Sequence, residues 1–407
     1  MDNNDILEEL ERRKFDMVIV DSYYPIRCYY LIPHRLQIPW ISYSIVGTDP
    51  FTIRAPWLPS IAPDVVDLLT ISPELAFADR LKNTVNSLAV TFLLPLYFPE
   101  LADDVLEKYR RYGYFVSSDE LQSKTVLWLL GVGDILDYPR PMMPNMVSIA
   151  GLTVRRSADK LPSDIKNFID GADKGVVLTT FGASISTIPA DALEKFSLAF
   201  RRLNGYRVLW KLNNKDNVIL SDNVMTSQWL PQNDILSHPF VKLFITHGGA
   251  HGLQEAVYHG VPMIAFPIVI DQQYNARRMD HKGYGTRMDL KKFTSDELLE
   301  NINKILSDKS YRERVTKASE IFRSQAQNPV EKATFWIEHV CRFGGDHLRS
   351  ASSDLPLYSY FMLDVLAFIL MVLNIFVYLL YRLLRFIIVN ICRGYSTSND
   401  NSWKKTN

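Results

Sequence analysis

Residues 244 to 279 read FITHGGAHGLQEAVYHGVPMIAFPIVIDQQYNARRM, and polar groups gather there at the ends of apolar runs. His247, Gly248 and Gly249 close one such run and stand directly before a helical stretch from Ala250. A glycine turn feeding a helix N-terminus offers unpaired N–H groups, a positive dipole end and room for close approach, the chemistry of a phosphate site. His247 can add a hydrogen bond to the same anion, and His251 lies in the first turn of that helix. Glu255, eight residues after His247, can accept from the two hydroxyls of a ribose. Asp271 and Gln272 follow the next apolar run and can read sugar hydroxyls. Upstream, SQWLPQ puts Trp229 and Gln232 at another strand end, where an indole face can stack on a planar base. Singly, each has an ordinary structural alternative: core tryptophan, helix cap, satisfied histidine. Their order at successive strand ends points to one nucleotide carrying a sugar.

Positioning such groups requires a parallel sheet, whose ligands gather at the carboxyl ends of its strands. Apolar runs do alternate with helical stretches, the pattern of α/β folds. DMVIVD, PWISYS, GVVLTTFG, YRVLWKL, NVMTSQWL, VKLFITH, PMIAFPI and GTRMDL read as strands. ILEELERRKF, PADALEKFSLAFRRL, a short stretch from Pro231 and stretches from Ala250 and from Gln272 to about Lys282 read as helices. Two further helices follow, ending with PVEKATFWIEHVCRF. From Pro50 to about Gly151 proline recurs beside apolar stretches such as LAVTFLLPLYF, which predicts irregular segments and helices lining a cleft for a lipophilic ligand, or else simply core. The expected organisation is an incomplete first domain over 1–150, a second over 151–345, a membrane helix over 357–381 and a basic tail over 382–407.

A chain of 407 residues with 47% hydrophobic and 22% charged residues is globular, and Lys+Arg and Asp+Glu both count 45. That balance gives no field to draw it onto nucleic acid, which is excluded as a partner. Cys28, Cys341 and Cys392 are too few and too scattered for a disulfide framework or a zinc cluster and read as buried thiols. The first residues after Met1, DNNDILEELERRKFD, lack the basic and apolar regions of a secretory signal. Leu357 to Tyr381 nevertheless carries one charge, Asp364, in 25 residues, against the roughly 20 apolar residues that span a bilayer. Arg382, Arg385, Arg393, Lys404 and Lys405 outweigh Asp400 beyond it, which places the tail in the cytosol and the body in the lumen, with membrane lipid as a partner. The terminal KKTN has the dilysine form of an endoplasmic-reticulum retrieval address.

WLPQNDILSHP followed by FITHGGAHGLQEAVYHGVPMIAFPIVIDQQYNARR resembles the donor-binding signature of the UDP-glycosyltransferases, in particular the membrane-bound UDP-glucuronosyltransferases of animals. The resemblance is dense from Gly175 to Leu290 and reaches from Lys14 to the anchor. It implies a glycosyltransferase-B fold of two facing Rossmann-like domains, and inverting transfer of a glucuronosyl or glucosyl group from UDP-glucuronate or UDP-glucose to a hydroxyl of a small lipophilic acceptor. It implies neither a cofactor nor a metal. Carried over, Trp229 stacks on uracil, Gln232 assists with base or ribose, His247, Gly248 and Gly249 hold the diphosphate, Glu255 the ribose, and Asp271 with Gln272 the transferred sugar. TTFGA resembles the family's phosphate turn and brings in Thr180 and Gly182, while Ile270 is bulkier than the residue usual before the Asp-Gln pair. Whether Arg277 or Arg278 meets a glucuronate carboxylate stays open, as does association with like or related chains.

In the family a histidine oriented by an aspartate deprotonates the acceptor. FDMVIVDSYYP resembles the strand that ends in that aspartate, which makes Asp21 the catalytic candidate. Its histidine should lie upstream, yet none of the eight histidines precedes Asp21, and His34 is the sole one in the N-terminal half. The chain is therefore expected to begin partway through the first domain and to bind the donor better than it transfers it. A nucleotide-sugar-binding membrane protein without catalysis is the second reading. An NAD-dependent oxidoreductase is the third, and it loses because no Gly-x-Gly-x-x-Gly follows a strand.

Overall fold

The computed structural model describes residues 4–22, 29–45, 118–131, 133, 135–139, 142–155, 161–182, 188–212, 219–350, 355–360 and 362–403, with 77, 78, 81, 82 and 85. The stretch Leu88–Phe98 and the terminal KKTN lie outside the described residues.

Four short parallel strands, β1 (Val18–Asp21), β2 (Trp40–Ser44), β3 (Leu127–Leu130) and β4 (Met146–Ser148), form a first sheet in that order. Helices α1 (Asn4–Arg12), α2 (Leu31–Leu36) and α3 (Ser118–Ser123) accompany them. β3 and β4 correct the expectation of irregular segments and helices up to Gly151. LWLL is buried at all four positions, and so short an apolar run shows no period that would tell strand from helix.

The second sheet has six parallel strands: β5 (Gly175–Thr180), β6 (Tyr206–Lys211), β7 (Val224–Ser227), β8 (Val241–Thr246), β9 (Met263–Ala265) and β10 (Gly285–Arg287), in the order β10-β9-β8-β5-β6-β7. β5 is buried along its whole length, as a strand covered on both faces must be. One face is covered by α4 (Ser163–Asp170), α6 (Gln232–Leu236), α7 (Ala250–Tyr258), α8 (Ile270–His281) and α10 (Lys309–Arg323) around Phe244, Leu253 and Met279. The other is covered by α5 (Ala190–Arg201) and α9 (Ser295–Ser307). There Phe196 packs 5.1 Å from Phe266 and 5.0 Å from Phe293 between ring centroids.

α11 (Pro329–Phe343) completes three helices after β10 where two were expected. Asp308 alone separates α9 from α10 and caps both, its carboxylate accepting from Ser310 N at 2.9 Å. α11 leaves the second sheet and packs Ala333 and Val340 against Ile41, Leu129 and Val147 of the first. Cys341, next to inward-facing Val340, is exposed, which corrects its reading as a buried thiol.

Residues 1–350 form one compact unit and 351–407 a second. The second holds α12 (Leu357–Tyr360) and α13 (Leu363–Trp403). Leu363–Asn390 of α13 is long and apolar enough to cross a membrane and fits a single-pass anchor. It overlaps the expected span of 357–381 from Leu363 onward. The helix begins at Leu363, and the apolar run Phe386–Val389 lies beyond Arg382 and Arg385.

Candidate functional site

The chain runs β5, β6, β7 to one side of the sheet and then returns to place β8 on the other side of β5. Loops leaving β5 and β8 therefore diverge, and the crevice between them is where ligands of open parallel sheets bind. Thr180 pairs with Thr246 at the strand ends, so the two turns beyond them lie level. Thr180 Oγ1 accepts from Gly182 N at 3.1 Å and shapes the first turn. In the second, Gly248 has φ +85°, and a Cβ there would meet Gln272 O at 3.2 Å, so that glycine suits both the conformation and the space. The His247 ring lies over Gly249, whose added Cβ would sit 2.5 Å from Nε2, and over Gly182.

Burial, then the charge of Lys211, pushes the His247 pKa down to about 4, so the imidazole is neutral at physiological pH and can donate one N–H. Gly249 caps α7, whose first amides open at this turn, with His251 exposed in its first turn. The sequence reading missed Lys211. It ends β6, and its Nζ donates to Gly182 O at 2.8 Å, which sets an ammonium beside the same turns. Its place at a strand terminus was the available signal.

Glu255 lies further along α7 with its carboxyl pushed up by burial and drawn back down by Gln232. Gln232 opens α6, and its Nε2 donates to Glu255 Oε2 at 2.5 Å, leaving Oε1 for another donor. Trp229 sits just before α6, its backbone held by Ser227 Oγ, which donates to Trp229 O at 2.7 Å. Its indole is 66% exposed, as a stacking platform must be.

Asp271 and Gln272 stand in the first turn of α8, which starts at Ile270, two residues before the expected Gln272. The Asp271 carboxyl is pushed up by burial and held by Asn275, whose Nδ2 donates to Oδ2 at 3.3 Å. Gln272 is 6% exposed and turns back, its Oε1 accepting from Ile268 N at 2.9 Å and Val269 N at 3.1 Å. Its carbonyl thus braces the loop. Arg278 points inward to Asp137, its Nη1 2.5 Å from Asp137 Oδ1, and so is not placed to meet a sugar carboxylate.

Asp21 ends β1 on the other sheet and is exposed. The charges bearing on the His34 imidazole are those of Lys124 and Glu120, while Asp21 bears on Tyr43.

Two parallel α/β sheets, with a crevice at the switch point of the second, are the architecture of the GT-B fold. The solved glycosyltransferase of kitacinnamycin covers 82% of this chain and 79% of its own at TM-score 0.57 and 21% identity. A UDP-glucose: anthocyanidin 3-O-glucosyltransferase in complex with UDP aligns over 81% of this chain and 76% of its own at TM-score 0.55 and 18% identity. Both share the fold. Residues 1–396 match the family model described as UDP-glucoronosyl and UDP-glucosyl transferase, and the chain belongs to that family. It is 32% identical to UDP-glucuronosyltransferase 1A5 of Rattus norvegicus over 93% of this chain and 71% of the relative. To 2-hydroxyacylsphingosine 1-beta-galactosyltransferase of Homo sapiens it is 33% identical over 91% of this chain and 67% of the relative. Family and fold together make this chain a UDP-sugar-dependent glycosyltransferase.

Proposed function

We propose that this protein transfers a hexosyl group, glucuronosyl or glucosyl, from its UDP donor to a hydroxyl of a small lipophilic acceptor, with inversion at the anomeric carbon and no metal. The acceptor oxygen forms its bond to that carbon as the bond to the diphosphate breaks, and UDP departs with the electron pair. The leaving charge meets the amides of the Gly248–Gly249 turn, the α7 N-terminus, the His247 N–H and the Lys211 ammonium. Trp229 stacks on the uracil, Gln232 and Glu255 hold the ribose, and Thr180 and Gly182 line the diphosphate, with His251 beside them. Asp271 with the Gln272 amide nitrogen reads the hexose. Asp21 is the candidate to orient a base for the acceptor proton, and the upstream histidine that the family places beside it has no counterpart in this sequence. The carrying observation is the Gln232–Glu255 hydrogen bond at 2.5 Å, which presents one carboxylate oxygen on the helix that begins at the glycine turn.

The anchor holds the chain in the endoplasmic-reticulum membrane with its body luminal and its tail cytosolic. Calorimetric titration of the full chain in detergent with UDP, UDP-glucose and UDP-glucuronate, followed by turnover with phenolic acceptors, tests the reading. Binding and turnover that fall together when Asp271 is replaced, with turnover alone falling in Asp21→Asn, are expected. Binding without any turnover would assign the non-catalytic reading, and no binding would overturn both.

A further inference from the structure

Beyond its first turn α8 is lined with polar side chains that face the protein and not the crevice. Arg278 and Asp137 are each 3% exposed and Asn275 is 5% exposed. Burying an arginine and an aspartate is costly unless their geometry is good and their remaining atoms are bonded, so a pair kept there calls for a reason beyond stability. Asp137 belongs to the connection between β3 and β4, and its Oδ1 also accepts from Tyr138 N at 2.9 Å and Tyr274 Oη at 3.3 Å. The Arg278 guanidinium lies over the Tyr274 ring, its Cζ 3.8 Å from the centroid.

From there the bonding has one direction. Arg278 Nη2 donates to Asn275 Oδ1 at 2.9 Å, which fixes which way the amide faces, because a flipped amide would set its own N–H groups against the guanidinium. Asn275 Nδ2 is thereby aimed at Gly248 O at 3.1 Å and Asp271 Oδ2 at 3.3 Å. One side chain therefore holds both the carboxylate read as gripping the hexose and the carbonyl of the turn read as holding the diphosphate. A grip whose rotamers are fixed beforehand loses less entropy on binding than one ordered by the ligand.

We propose that Asn275 is a positioning residue for the UDP-sugar, oriented by Arg278 and, through it, by Asp137, so that the donor grip is completed by the docked β3–β4 connection of the first sheet. This rests on the donor-site reading of Asp271 and Gly248 given above. The Tyr284 hydroxyl, donating to Ile135 O at 3.3 Å, holds the same connection against the second sheet.

The full chain in detergent is titrated calorimetrically with UDP and with whichever of UDP-glucose and UDP-glucuronate the unaltered protein binds. Asn275→Asp keeps the shape and the acceptor for Arg278 but turns an oxygen toward Asp271 and Gly248; Asn275→Ala removes the donor without adding charge and serves if the first does not fold. Either should weaken UDP-sugar binding tenfold or more, and UDP binding by less. Asp137→Asn should weaken UDP-sugar binding at least threefold, and the double variant should lose no more than Asn275→Asp alone, since the residues act in series. UDP-sugar binding within twofold in both Asn275 variants, a lower Tm for Asp137→Asn with unchanged Kd, or additive losses would overturn the proposal. No UDP-sugar binding by the unaltered protein would instead sink the donor-site reading, and the relay with it.

Discussion

Gln232 and Glu255 come from different helices and meet through a 2.5 Å hydrogen bond in which the amide donates to one carboxylate oxygen. The contact holds a half-buried acid in one rotamer at the edge of the crevice. Glu255→Ala should weaken UDP binding by about 1–3 kcal/mol, the range for a lost hydrogen bond to a charged group. Gln232→Ala should cost less and should add little to Glu255→Ala. Titration of the two single variants and the double variant checks this, and a full additive loss would mean the two side chains act separately.

Trp229 projects into solvent, so its loss should be felt by the ligand and not by the fold. Trp229→Ala is expected to reduce UDP affinity by roughly 1–3 kcal/mol, the value of one base stacked on an aromatic ring. Thermal unfolding without ligand should be unchanged. A lower Tm with unaltered affinity would make the indole a packing element.

Gly248→Ala should cost stability and binding together. Its φ of +85° lies in the left-handed region, where a Cβ costs about 1–2 kcal/mol, and that carbon would press on Gln272 O. A variant with the Tm and Kd of the unaltered protein would show that the turn can adopt another shape.

His247 and His259 are both held neutral, each pKa pushed down to about 4, His247 by burial and Lys211, His259 by burial and Arg323. An unfolded chain takes up these protons below about pH 6.5, which the folded protein does only near pH 4. Their contribution to stability is therefore complete above pH 6.5 and lost on acidification between 6.5 and 4. Burial pushes the Glu255 and Asp271 carboxyls up, so they act with opposite sign, their contribution present in acid and lost as pH rises through their folded values. His259→Gln should flatten the decline of Tm with acid; an unaltered slope would remove His259 from this account.

What could be read in the sequence follows from how local its cause is. β5 and, after Lys242, β8 run apolar into their closing threonines because both their faces are covered, and such runs are visible without a fold. His247, Glu255 and Asp271 could be picked out because each follows such a run at a fixed offset. Asn275 also had a local signal, four residues after Asp271 on one helix face, but an asparagine among polar neighbours does not stand out. Asp137 could not be paired with Arg278 in advance, since only the folded β3–β4 connection brings them together. Gln272 carried the right residue type, yet its burial and its bonds to Ile268 and Val269 depend on a loop geometry that no spacing encodes.

The return of α11 to the first sheet has a mechanical consequence. The backbone passes between the sheets twice, once after β4 and again before Pro329, and its second passage is sealed by Ala333 and Val340. A body joined at one point can swivel freely; one joined at two is left with rotation about the line through both. Any opening between the two sheets would have to turn about that line and would part Arg278 from Asp137 and Tyr284 from Ile135.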